Sequence, residues 1–287
     1  MKPKAITALT VLTSITLLAI SPVPVDAQTG GDLTPPAGAP GKSMKSLDQV
    51  EPRTPLVDGA AGVSIGAFGT ITISQSGSYY LTSNLSVSAG DGITINASGV
   101  TLDLRGFTIT STSATASSEA IDVNGSNISI YNGHISSGTT YSSGSGSFSG
   151  GGFQYGISAA TGTYHNIRIR DISVQGCSIH GIYCAGTATG QVSSCSVYSC
   201  GSIGIRAGVV SHCVVEDCGS TGINATAVSH CRSEVISGTA ISATTVSNSY
   251  GNTDGSGDGI SASVVTNSYG YAGSSGVTGI DASFSVS

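Results

Sequence analysis

Apolar positions in this chain recur as short pairs, not as helical stripes. A small residue followed by isoleucine stands at Gly92-Ile93, Ala120-Ile121, Gly156-Ile157, Gly181-Ile182, Gly204-Ile205, Gly222-Ile223, Ala240-Ile241, Gly259-Ile260 and Gly279-Ile280. The intervals are 28, 36, 25, 23, 18, 18, 19 and 20 residues. Three positions after each small residue stand Ile95, Val123, Ala159, Cys184, Ala207, Ala225, Ala243, Ala262 and Ala282, all apolar. The isoleucine and this column lie two apart, which is strand alternation facing one side. A second column, six positions after the anchors, holds Val210, Val228, Val246 and Val265. Repeats of this length without helix formers predict a coil of stacked rungs. Parallel strands about 4.8 Å apart then place like residues on like, in stacks that no single rung could bury alone. The expected fold is all-β, a right-handed parallel β-helix of about nine to ten rungs, the hand following the usual chirality of parallel crossovers.

The pattern also predicts what lies outside the coil. Residues 111–118 and 138–152 are rich in Ser, Thr and Gly and read as loops leaving the two longest rungs. Residues 28–55 contain Pro35, Pro36, Pro40, Pro52 and Pro55 and read as an extended linker, with the β-helix domain at 56–287. Residues 1–27 combine Lys2 and Lys4, an apolar run over 5–20 and the sequence Val25-Asp26-Ala27. This is the form of a secretory signal peptide cut after Ala27, giving a secreted, cell-surface or periplasmic chain. The apolar run is too short and too interrupted for a membrane span, so the mature chain is expected to have no transmembrane segment.

Composition narrows the partners. Charged residues make up 9% of the chain and hydrophobic ones 39%, which argues against disorder. The net charge of −6 excludes nucleic acid as an expected partner. Lys2, Lys4, Lys42 and Lys45 all precede the repeats, so arginine is the only strong cation in the coil. Seven cysteines in an exported chain call for a disulfide search. Cys184 falls in the alanine column; Cys177, Cys200 and Cys218 form a second column, and Cys195, Cys213 and Cys231 a third. All seven therefore occupy predicted core positions, where free cysteine acts as a small hydrophobe. Bridges between stacked neighbours and a metal site are the alternatives, and parallel side chains suit a disulfide poorly.

Three segments resemble exported bacterial right-handed parallel β-helix repeat proteins. Residues 44–55 (MKSLDQVEPRTP) resemble their leader, 74–81 (SQSGSYYL) their first rung and 100–109 (VTLDLRGFTI) their third-strand motif. The resemblance implies a pectate-lyase-like fold and no defined reaction.

Enzymes of that fold supply two comparisons. Polygalacturonase-like hydrolases carry motifs on four successive rungs, and in matching columns this chain has Glu119, His180 and Arg206. The paired aspartates are replaced by Gln154 and Tyr155, whereas glycoside hydrolysis needs two carboxyl groups. Pectate lyases use a Ca²⁺ cluster of aspartates. Here only Asp254 and Asp258, in a run of alternating oxygen-bearing residues, resemble half of a Ca²⁺ loop, and a polar turn explains them as well. No other cofactor is expected. Asp103, Asp122 and Asp171, with Arg105, Arg168 and Arg170 nearby, read as an acid–base patch or as solvated strand faces. His212 and His230 share a column with Ser194, Asn248 and Asn267; stacked imidazoles suit a metal, but a turn ladder explains the column more simply.

Tyr164, His165, Arg168, Arg170, Asp171 and Tyr183, with His180, form the densest mixture of aromatic, cationic and imidazole groups, suited to an anionic glycan. The expected function is a non-catalytic exported scaffold contacting extracellular polysaccharide. The alternative is a polysaccharide lyase or glycoside hydrolase. The long rungs from Gly92 to Gly204 are the expected location of any site. The rung begun at Gly279 is expected to offer an open edge for end-to-end self-association.

Overall fold

A computed structural model describes residues 53–145, 147–159, 163–184, 190–275 and 277–286. The expected signal peptide, and the linker up to residue 52, lie outside the described residues. The described chain is all-β: parallel strands coil into a β-solenoid of about ten turns. Among the described residues the one helical segment is a three-residue 3-10 turn, Ala67–Gly69.

Each turn presents three faces. On the first, the anchor isoleucines pair in register as Ile93, Ile121, Ile157, Ile182, Ile205, Ile223, Ile241, Ile260 and Ile280. Ile71 extends this ladder by one rung at the N-terminal side. The second face stacks Tyr79, Leu102, Ile130, Ile169, Val192, Val210, Val228, Val246 and Val265. The third stacks Leu85, Ile109, Ile135, Val174, Val197 and Val215. The core is the axis enclosed by these ladders, and nearly every member is fully buried.

The third ladder then loses its side chains, continuing as Ser233, Gly251 and Gly270. The reason is space. A Cβ on Gly251 would stand 2.2 Å from the carbonyl oxygen of Gly259, and one on Gly270 2.0 Å from that of Gly279. The first and third faces close on one another, so the coil narrows along its length. The alanine column records the same narrowing, with Ala159 and Ala207 buried but Ala225, Ala243 and Ala262 only half-buried.

The corner between the second and third faces turns through one left-handed residue per rung: Asn132, Asp171, Ser194, His212, His230, Asn248 and Asn267, with φ from 47° to 63°. Asn, Asp and His tolerate this region better than bulkier residues. His212 and His230 are thus rungs of a turn ladder, and their rings stack with centroids 4.9 Å apart. The next residue points inward and closes the turn. Cys195, Cys213 and Cys231 each donate the thiol proton to the carbonyl two residues back at 3.2 Å, and the Ser249 and Ser268 hydroxyls donate to the equivalent carbonyls at 2.8 Å. All seven cysteines are buried as free thiols.

The loop expected at 138–152 leaves the coil and returns to it. Thr140–Ser142 and Ser147–Ser149 form an antiparallel hairpin, and Phe148 lies over Gly219, where a Cβ would come within 2.7 Å of the ring.

Candidate functional site

The small residue of each anchor determines what the first face displays. A Cβ on Gly156 would lie 2.6 Å from Val174 Cγ1, and one on Gly181 2.4 Å from Val197 Cγ1. Glycine and isoleucine therefore both sit inward, and the residues flanking the pair are both thrown outward. Two outward columns result. One carries Asp91, Glu119, Tyr155 and His180; the other carries Asp122, Ser158, Tyr183 and Arg206.

The N-terminal end of this strip is acidic. The Glu119 backbone N–H donates to Asp91 Oδ1 at 2.9 Å. Burial pushes the Glu119 carboxyl up to about 8, and the neighbouring Asp122 and Asp91 carboxyl groups add to the rise while the Ser158 hydroxyl opposes it. Asp91 is also raised, by burial against the pull of the Glu119 N–H. Glu119 Oε2 and Ser158 Oγ are buried polar atoms without a hydrogen-bond partner, the kind of group that a ligand satisfies.

The other end is aromatic and cationic. His180 stacks on Tyr183 with ring centroids 4.6 Å apart, and Tyr155 meets His180 edge-on at 5.3 Å. The Arg206 guanidinium lies 5.5 Å from the centre of the Tyr183 ring. His180 Nδ1 accepts the Ile203 N–H at 3.1 Å, which leaves Nε2 to carry the proton of the neutral ring. Burial, then the charge of Arg206, lowers His180 to about 4, so it is neutral at physiological pH. A neutral carboxyl beside two further acids can donate a proton, and the aromatic wall can seat a sugar ring.

The structure brings Glu119, His180 and Arg206 onto one face, as their columns predict. It corrects the count of carboxyl groups: Asp91 and Asp122 stand beside Glu119, although no sequence motif pairs them. Asp122 does not join Asp103 and Asp171. Asp103 is buried on the second face, accepting from Arg53 Nη1 at 2.8 Å and Asn132 Nδ2 at 3.0 Å. Asp171 is a corner residue paired with Arg170 at 2.7 Å.

The expected glycan cluster divides. Tyr183 is on the first face, whereas Arg168 and Arg170 point outward on the second, with Arg170 stacked 4.1 Å over Tyr131, a residue the sequence reading missed. Tyr164 and His165 lie at the turn between these faces, bonded to Asn124 Oδ1 and Ser126 Oγ. Of the two Ca²⁺ candidates Asp254 and Asp258, Asp258 Oδ1 accepts both the N–H and the hydroxyl of Thr278, at 3.1 and 2.8 Å. Among the described residues no group of three or more His, Cys, Asp or Glu side chains is arranged to hold a metal ion.

A groove lies where none was expected, on the short C-terminal rungs. The left-handed corner opens a groove of about 960 Å³. His212, His230, Asn248 and Asn267 form one wall, Val214, Arg232, Tyr250 and Tyr269 the other, and Cys213, Cys231, Ser249 and Ser268 the floor. Arg232 is held by Glu216 and by Glu234, the latter at 2.7 Å.

Comparison with family models, with curated proteins and with solved structures returned no match. Among the described residues no helix is long and apolar enough to cross a membrane.

Proposed function

We propose that this chain is an exported β-solenoid that binds an extended extracellular polysaccharide along its first face. The observation that carries this reading is the strip of Tyr155, His180, Tyr183 and Arg206, continued by Glu119, Asp122 and Asp91. The strip runs along the solenoid axis, one rung every 4.8 Å or so, which is close to the length of one sugar unit. Aromatic faces pack against the apolar faces of sugar rings, while carboxyl groups and the guanidinium bond their hydroxyl and acid groups. Binding to a glycan array that is lost in Tyr183→Ala tests the reading.

A second reading, cleavage of the bound glycan, is favoured by the neutral carboxyl of Glu119 beside Asp91 and Asp122. Glycosidic hydrolysis uses one protonated and one ionised carboxyl group, and environments that push two carboxyl groups apart in proton affinity assign those roles. Glu119 is then the acid and one of the aspartates the base. New reducing ends that disappear in Glu119→Gln support hydrolysis; unsaturated ends indicate elimination instead; neither product leaves the solenoid a binding protein.

A further inference from the structure

The floor of the C-terminal groove carries chemistry that polysaccharide binding does not use. Cys195, Cys213 and Cys231 occupy one corner position on three successive rungs, in register with the strands on either side. Their thiols are held identically, each at 3.2 Å from the carbonyl two residues back. Identical attachment on parallel rungs makes the sulfur atoms repeat with the rung, about 4.8 Å apart. Two metal–thiolate bonds of about 2.3 Å placed end to end span nearly the same distance.

We propose that Cys213 and Cys231 form a two-coordinate site for a soft monovalent cation of the copper(I) or silver(I) class, entered through the groove above them. Three observations select this pair and this class. Cys213 and Cys231 line the groove, whereas Cys177, Cys200 and Cys218, a second stack, do not. Thiolate donors favour soft cations. The lack of a converging third His, Cys, Asp or Glu ligand among the described residues disfavours zinc, which takes four ligands.

The binding step is proton displacement without electron transfer. Two neutral thiols and one monovalent cation give an anionic bis-thiolate complex and two released protons. Both thiols are buried and uncharged in the free chain, so the cation must drive ionisation. His212, His230 and Arg232 on the groove walls stand near the negative charge that forms.

The test is silver(I) titration of the reduced full-length chain in chloride-free buffer, followed by thiolate-to-metal absorption, native mass spectrometry and proton release. One tightly held ion per folded chain and two protons per ion are expected. Cys213→Ser and Cys231→Ser should each abolish uptake and leave the fold intact, because Ser249 and Ser268 already close the same corner on later rungs. Cys200→Ser should leave uptake unchanged. No uptake by the folded chain, uptake indifferent to both groove substitutions, or uptake lost only in Cys200→Ser would overturn the proposal. So would a Cys213–Cys231 disulfide in protein isolated without reductant.

Discussion

His180 lies flat against Tyr183 within a single strand, ring centroids 4.6 Å and planes 15° apart, because the Gly181-Ile182 pair between them is folded inward. The repeat that builds the core thus also sets the spacing of the side chains on its surface. Gly181→Ala would press a methyl group into Val197 and the Gly204 carbonyl. Overpacking of this kind costs about 1–3 kcal/mol. We expect Tm to fall by roughly 2–4 °C per kcal/mol, together with weaker glycan binding, since His180 and Tyr183 are displaced. Thermal melts and binding isotherms of this variant check both effects.

Glu119 makes stability depend on pH. Its carboxyl keeps its proton up to about pH 8 in the fold, against about 4.5 in the open chain. Between these values the folded chain carries one more proton than the unfolded chain, so stability falls as pH rises. Solvent reaches part of this carboxyl, and screening reduces the effect to about 1–2 kcal/mol. Melts at pH 5 and pH 9 should show the loss, and Glu119→Gln should remove most of it. A Tm that rises across this interval in the parent chain and not in the variant would contradict the assignment.

The ladder predicts a gradient of sensitivity. Ile182 is fully buried between paired neighbours, and Ile280 is only partly buried. Ile182→Ala should cost roughly 3–5 kcal/mol by lost burial and cavity formation, and Ile280→Ala distinctly less. In a solenoid each rung rests chiefly on its neighbours, so the central substitution should also broaden the unfolding transition. Denaturant titration of the two variants measures the difference.

The periodic part of the molecule was legible in the sequence. The isoleucine anchors, the valine column from Val210 to Val265 and the core placement of all seven cysteines follow from counting residues, because stacking turns periodicity directly into contact. The site was legible only in part. The anchors place Glu119 and His180 before the inward pair and Arg206 after it, on one face, but Asp91 and Asp122 join Glu119 through an inward-folded anchor pair that no motif marks. Tyr183 and Arg170 are thirteen positions apart in the chain, yet they occupy different faces because a corner intervenes. The groove over Cys213 was missed because rung length says nothing about how wide a left-handed corner opens.

We propose that an extended polysaccharide lies along the first face. The most direct measurement is a glycan array probed with the parent chain, Tyr183→Ala, His180→Ala and Arg170→Ala. We expect the parent to retain a polysaccharide class. Tyr183→Ala and His180→Ala should bind it at least about tenfold more weakly, as loss of a buried aromatic anchor implies. Arg170→Ala, on the second face, should bind as the parent does. A parent chain that retains no glycan, or binding lost in Arg170→Ala and kept in Tyr183→Ala, would contradict the account.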